Sequence, residues 1–314
     1  MKKLLSLVLA LCLVLGCTSA FAAKYEVGVL QLVQHVALDA ATQGFVDALT
    51  EKLGKDVKFD IQNASGDTGA CNTIATTFDA NGVDLIMANA TPALQAAMNA
   101  TGFIPVLGTS VTDYATALGV TEGWTGTTGI NVSGTSDLAP LDAQAAMIKE
   151  LFPEAKKVGL LYCSGEPNSV YQINVISEFL KELGYETEPF AFADSNDVAA
   201  VAQNAADNCE VIYIPTDNTA ASYAETIANV LVPAKVPAVV GEAGLCSGCG
   251  VATLSISYYD LGWQTGLMAY EILVGGADIS TMEIQTAPNV TKMYNAEIVA
   301  ELGLTMPADY QPIE

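Results

Sequence analysis

The sequence contains no arginine and a single histidine, His35, and all twelve of its basic residues are lysines. Without arginine, the bidentate guanidinium clamp used by many carboxylate and phosphate sites is missing, which argues against phosphorylated or multiply acidic ligands. Basic residues are also too few to balance 35 acidic ones, and the formal net charge is −23. A surface this acidic repels phosphate backbones and anionic headgroups, so nucleic-acid binding and electrostatic membrane attachment are poor hypotheses. One histidine supplies neither a His-rich metal cluster nor two proton relays. The G-x-S-x-G and G-x-x-x-x-G-K-[ST] patterns are both missing, so neither a nucleophile elbow nor a phosphate loop is on offer. The expectation is a binding protein with no cofactor, not an enzyme. Charged residues make up only 15% of the chain and hydrophobic ones 51%, which excludes disorder, and 314 residues leave room for two cores.

At the N-terminus, Lys2 and Lys3 precede an apolar run from Leu4 to Gly16, and Cys17-Thr18-Ser19-Ala20-Phe21-Ala22 follows. This is the layout of a secretory signal over residues 1–22, and it predicts an extracytoplasmic protein. Two processing routes stay open: cleavage after Ala22, or lipidation at Cys17 within Val14-Leu15-Gly16-Cys17. No other segment is long and apolar enough to cross a bilayer. Cleavage after Ala22 would leave five cysteines, an odd number, so at least one thiol stays free. Cys246 and Cys249 form a C-x-x-C whose readings are a local disulfide or two buried thiols, a redox pair, or half of a zinc site.

Hydrophobic periodicity then alternates between short apolar runs and longer amphipathic stretches. Strands are predicted at Tyr25 to Gln31, Asp56 to Ile61, Val83 to Ala88 and Ile104 to Leu107, with helices over 38–53, 69–80 and from about Pro92. After a helix at 137–151 the pattern restarts, with strands at Val158 to Tyr162, Glu186 to Phe192, Val211 to Ile214 and 236–240. Helices over 169–183, 196–207 and 219–231 separate them. The fold class is α/β, two doubly wound parallel-sheet lobes of similar plan. A strand at Gly250 to Ile256, a helix at 258–274 and an extended run at Thr281 to Thr286 exceed what the second lobe needs. Lobe 1 is therefore assigned 24–131 plus 254–286, and lobe 2 132–253 plus 287–314, joined by three crossover segments that form a hinge.

Ligands of open parallel sheets sit beyond the carboxyl ends of the strands, near helix N-termini. The polar residues predicted there are Gln34, Asn89, Thr91, Thr109, Ser110 and Thr112 in lobe 1, and Glu166, Asn168, Ser169, Asp217, Asn218 and Glu242 in lobe 2. Hydroxyls and amides dominate the first set, and carboxylates enter with the second. That division suits a zwitterion, its carboxylate on the hydroxyls of Thr91, Thr109, Ser110 or Thr112 and its ammonium on Asp217, Glu166 or Glu242. Helix capping is the competing role for each of these side chains, and the two roles are compatible.

Seven strings in order, Gln34 to Asp39, Asn63 to Asp67, Ala90 to Ala93, Val111 to Asp113, Glu166 to Ser169, Ile214 to Asn218 and Tyr258 to Gly262, resemble the substrate-binding proteins of ABC importers of the tryptophan/tyrosine-associated type. The resemblance covers nearly the whole mature chain. It implies the type I periplasmic-binding fold, three crossings, no catalysis, and delivery of a small ligand, often an aromatic amino acid, to a membrane permease by a monomeric binding protein. Family contacts would fall on Thr91, Thr112, Asn168, Ser169, Asp217 and Asn218. Val36 and Tyr114 depart from the family pattern, where proline is usual. A ligand-sensing module for a receptor, and a branched-chain amino acid or other small solute as ligand, are the alternatives.

Overall fold

The computed structural model describes residues 23–120, 122–287 and 289–313. The signal segment 1–22, with Cys17 and the cleavage site, lies outside the described residues. Lobe 1 is built on β1 (Tyr25–Gln31), β2 (Val57–Asn63), β3 (Leu85–Asn89), β4 (Val106–Val111), β5 (Val132–Ser136) and β11 (Gln285–Thr286). These pair in the order β11-β5-β4-β3-β1-β2, parallel throughout. Lobe 2 carries β6 (Lys157–Cys163), β7 (Glu186–Phe192), β8 (Val211–Ile214), β9 (Ala238–Val240), β10 (Ala252–Ser255), β12 (Thr291–Tyr294) and β13 (Gln311–Pro312), in the order β13-β12-β10-β9-β8-β6-β7. Only β10 and β12 run antiparallel. Strand order reverses between β1 and β3 and again between β6 and β8, so each lobe has a switch point facing the cleft.

Strands buried on both faces read as unbroken apolar runs. β3 and β4 are buried along their whole length, and helices cover both sides of the sheet. One face of the first sheet packs Phe78 and Leu94 against Leu30 and Ile86, and the other packs Phe45 and Met268 against Val29 and Met87. Lobe 2 repeats this arrangement with Tyr213, Leu160 and Ile176 on one face and Phe192, Ile212 and Ile227 on the other.

The helix Tyr258–Leu273 returns from lobe 2 to pack along Val36–Leu53 of lobe 1. Small residues bring the two backbones together. A Cβ on Gly44 would lie 2.1 Å from the Tyr259 carbonyl oxygen, and one on Gly262 would meet the Ala41 carbonyl oxygen. Neither site accepts a side chain without parting the helices. Thr265 adds a polar tie, its hydroxyl 2.9 Å from that of Thr135 on β5.

Sheet membership moves the first lobe boundary from 132 to the segment after Ser136. β5 pairs with β4 because Val132 is buried in the first core, and its glycine, Gly134, lies against the backbone of Gly108. The helix expected over 137–151 starts at Leu141, because Pro140 takes the cap position, and this leaves Asp137 on the connecting segment. The second passage follows Ser255 rather than 254, since all of β10 belongs to the lobe 2 sheet, and the third lies between β11 and β12. The helix expected over 219–231 is broken at Tyr223 into Asn218–Ser222 and Ala224–Leu231.

Candidate functional site between the lobes

The two switch points face each other, and the lobes touch across the cleft. Thr112 of lobe 1 stands 3.5 Å from the Thr216 hydroxyl of lobe 2, and Gln172 reaches Thr112 at the same distance. The His35 Nε2 lies 3.3 Å from the Asn218 Oδ1. These contacts close the cleft around a space of about 10 Å³, room for about one water. An amino acid enters only with the lobes further apart.

Six of the candidate residues line that space: Ser110, Thr112, Asn168, Asp217, Asn218 and Glu242. The other six do not. Gln34 is exposed on the outer lip. Asn89 donates to the Leu38 carbonyl (2.8 Å) and the Thr42 hydroxyl (3.0 Å), tying β3 to the helix above it. Thr109 accepts from Thr135 within the sheet (3.2 Å), and Ser169 accepts from Asn168 (3.3 Å). Thr91 is buried behind the wall, and Glu166 lines an outer pocket of about 480 Å³. Asp137, Thr216, His35 and Tyr258 also line the inner space. Asp137 lies on the first connecting segment and Tyr258 opens the helix that follows the second, places the strand-end rule does not reach.

The lobe 1 rim is strained and under-bonded. Ser110 has φ 54° and Ala90 φ 94°, backbone regions that favour glycine. Such conformations cost about 1–3 kcal/mol each and persist where surrounding structure enforces them. The Ala90 N–H is held by the Thr109 carbonyl (3.0 Å), which aims the start of the helix Thr91–Ala100 at the cleft. The hydroxyls of Thr91 and Ser110 are buried without a hydrogen-bond partner. A buried polar atom left unpaired costs about 1–3 kcal/mol, so each marks a place where a ligand atom would be welcome.

The carboxylates of the lobe 2 rim are saturated. The Glu166 carboxylate accepts from the Asn168 side chain, from the Asn218 backbone and side chain, and from the Thr219 backbone and hydroxyl. Asp217 accepts from the backbone N–H groups of Cys163 (2.6 Å) and Ala220 (2.8 Å), the second as an N-cap. Glu242 caps the helix Ala243–Cys249 through the N–H groups of Gly244 and Leu245. Burial raises the pKa of Asp217, and the neighbouring Glu166 charge adds to the rise. Burial likewise pushes Glu242 up to about 7 against the pull of its two backbone donors. His35 is lowered, chiefly by burial, and its Nδ1 has no partner.

The five cysteines among the described residues are free and buried. Cys246 and Cys249 sit in one helix, their thiols donating to the carbonyls of Gly250 (3.6 Å) and Leu245 (3.5 Å). Of the open readings of the C-x-x-C, the structure has the two buried thiols. Among the described residues, no cluster of three or more histidine, cysteine, aspartate or glutamate side chains is arranged to hold a metal ion.

A family model described as ABC transporter substrate binding protein matches residues 26–310. The chain belongs to this family. It is 36% identical over 265 residues to a tyrosine-binding protein of Clostridioides difficile (strain R20291), covering 82% of this chain and 76% of that protein. A Streptococcus pneumonia ABC domain solved in complex with L-Trp superposes with a TM-score of 0.88 at 32% identity, covering 92% of this chain and all of the other. The ligand-free, open structure of a Clostridium difficile substrate-binding protein with adhesive properties gives 0.70 at 34% identity, covering 92% and 99%. A lower score at nearly equal identity is what a different angle between similar lobes produces. The higher score against the L-Trp complex than against the open structure agrees with the contacts across the cleft. A leucine-binding protein of Thermotoga maritima, 16% identical with a TM-score of 0.58, shares the type I periplasmic-binding-like fold alone.

Proposed function

We propose that this protein captures one small zwitterionic amino acid with an aromatic side chain between its lobes and delivers it, without chemical change, to the permease of an ABC importer outside the cytoplasm. The single observation that carries this is the pairing of unpartnered buried hydroxyls on one rim with carboxylates on the other, in a cleft that contains no lysine or arginine. Such a cleft repels a dianion and leaves a lone carboxylate without a counter-charge, whereas a zwitterion offers a group for each side. The ligand carboxylate would meet Ser110 and Thr112, with Thr91 and the N–H groups of its helix behind them. Asn168 Oδ1, buried and unpartnered, is a further acceptor for the guest. The aromatic preference rests on the tyrosine-binding relative and the L-Trp complex. Action as a monomer, a permease partner and lipid attachment through Cys17 belong to the same reading.

A thermal-shift screen over the twenty amino acids, followed by calorimetry on the hits, tests it. L-Tyrosine or L-tryptophan should raise the melting temperature by mass action and bind one to one. A shift with a sugar or nucleoside and none with any amino acid would reject the ligand class.

A further inference from the structure

Four carboxylates approach the cleft, and their oxygens are not equally spent. The Glu166 carboxylate accepts from five donors. Asp217 and Glu242 each accept from two backbone N–H groups and cap a helix. Asp137 differs. It is only 4% exposed and lines the inner space. Its Oδ2 accepts from the Tyr258 hydroxyl (2.8 Å), while its Oδ1 has no hydrogen-bond partner. No lysine lines that space, and the ion pairs of Lys52, Lys58, Lys157, Lys181 and Lys292 are with acids outside it.

We propose that Asp137, on the first connecting segment, is the counter-ion of the ligand's ammonium group, and that Tyr258, at the start of the returning helix, positions it. The proposal rests on the amino-acid reading of the cleft and assigns a role that residues at the strand ends do not fill. A buried carboxylate oxygen without a donor is costly, and an ammonium supplies both the charge and the hydrogen bond it lacks. Burial raises the Asp137 pKa, with the Tyr258 hydroxyl opposing the rise, and an ammonium beside the carboxylate would favour its ionised form.

The placement also links capture to closure. The Asp137 N–H bonds the Val111 carbonyl of β4 (3.2 Å), which fixes this residue to lobe 1. Three residues further on, Pro140 takes the cap position of the first helix of lobe 2. The Tyr258 hydroxyl bridges this strand of the hinge to the one that starts the returning helix. A guest held by Ser110 at its carboxylate and Asp137 at its ammonium is seated on lobe 1 and the hinge, and lobe 2 closes over it.

The test is a double-mutant cycle between protein and ligand. Calorimetry compares L-tyrosine and L-tryptophan with their des-amino analogues, 3-(4-hydroxyphenyl)propionate and indole-3-propionate, on the wild type and on Asp137→Asn, which retains an acceptor for Tyr258. The wild type should favour each amino acid over its analogue by more than about tenfold, about 1.4 kcal/mol. Asp137→Asn should lose more than about tenfold for the amino acids and no more than about twofold for the analogues, so that the preference collapses. Tyr258→Phe, which keeps the charge, should retain most of it. Equal losses for both ligand types would reduce Asp137 to a structural residue and overturn the proposal. So would an undiminished preference in Asp137→Asn, with collapse in Asp217→Asn instead. If Asp137→Asn fails to fold, Asp137→Ser makes the same comparison. A wild type that binds no amino acid at all would instead refute the reading on which the proposal stands, and the proposal with it.

Discussion

The two rims of the cleft have the same fold and opposite bonding. On lobe 2, Glu166, Asp217 and Glu242 are engaged by helix-terminal N–H groups and neighbouring amides. On lobe 1, Thr91 and Ser110 hold hydroxyls with no partner, beside backbone strained at Ala90 and Ser110. The difference teaches that polarity alone does not identify a binding residue. The carboxylates of lobe 2 stabilise their own lobe and give it a fixed shape, whereas the free valences of lobe 1 and the hinge are available to a guest. Preorganisation on one side and unmet bonding capacity on the other is an economical way to make closure depend on the ligand.

The contrast breaks most visibly at Glu166. Glu166→Ala leaves its several donors buried without an acceptor and should cost about 3 kcal/mol or more of stability, read as a large fall in the denaturation midpoint. An unchanged midpoint would mean that the network is not what shapes lobe 2. The opposite behaviour is expected on the other rim. Ser110→Ala should weaken amino-acid binding by about tenfold and Thr91→Val, behind the wall, by less, while both leave the unliganded protein as stable as before or slightly more so, because each removes an unpaired hydroxyl. Ser110→Gly relieves the φ 54° conformation and should stabilise the protein by about 1 kcal/mol. Destabilisation by these changes without loss of affinity would place both hydroxyls in the fold rather than the site.

A smaller effect separates the rims by pH. Glu242, lifted by burial to about 7, has a folded pKa above its ordinary 4.5, so the folded protein takes up a proton that the unfolded chain releases. Its contribution to stability is fully present below about 4.5 and is lost as the pH rises through about 7. Asp217 acts in the same direction. Thermal stability should therefore decline between pH 5 and pH 8, and Glu242→Gln should flatten part of that slope. A stability that rises over this range in the wild type, or a slope untouched in the variant, contradicts the assignment.

Much of the architecture is legible in the sequence because parallel strands buried on both faces leave continuous apolar runs, as at Leu85 to Ala88, and because glycine stops such as Gly54 end the helices. The returning helix is legible too, as an element left over after the second lobe is complete. The site is less so. Capping and ligand contact use the same residue types, and what distinguishes Asp217 is a donor 54 positions away, the Cys163 N–H. Asp137 reads as the start of a helix until Pro140 is seen to take the cap, and the meaning of its side chain depends on Tyr258, 121 residues later. Those pairings follow from how the connecting segments lie side by side, which no local pattern encodes.

X-ray scattering of the protein titrated with L-tyrosine or L-tryptophan tests most directly whether the lobes work as a clamp. The radius of gyration should fall on saturation and the limiting curve should match the closed arrangement described above, with no such change for an amino acid that the calorimeter finds unbound. Identical curves with and without a ligand that demonstrably binds would contradict closure as the basis of capture.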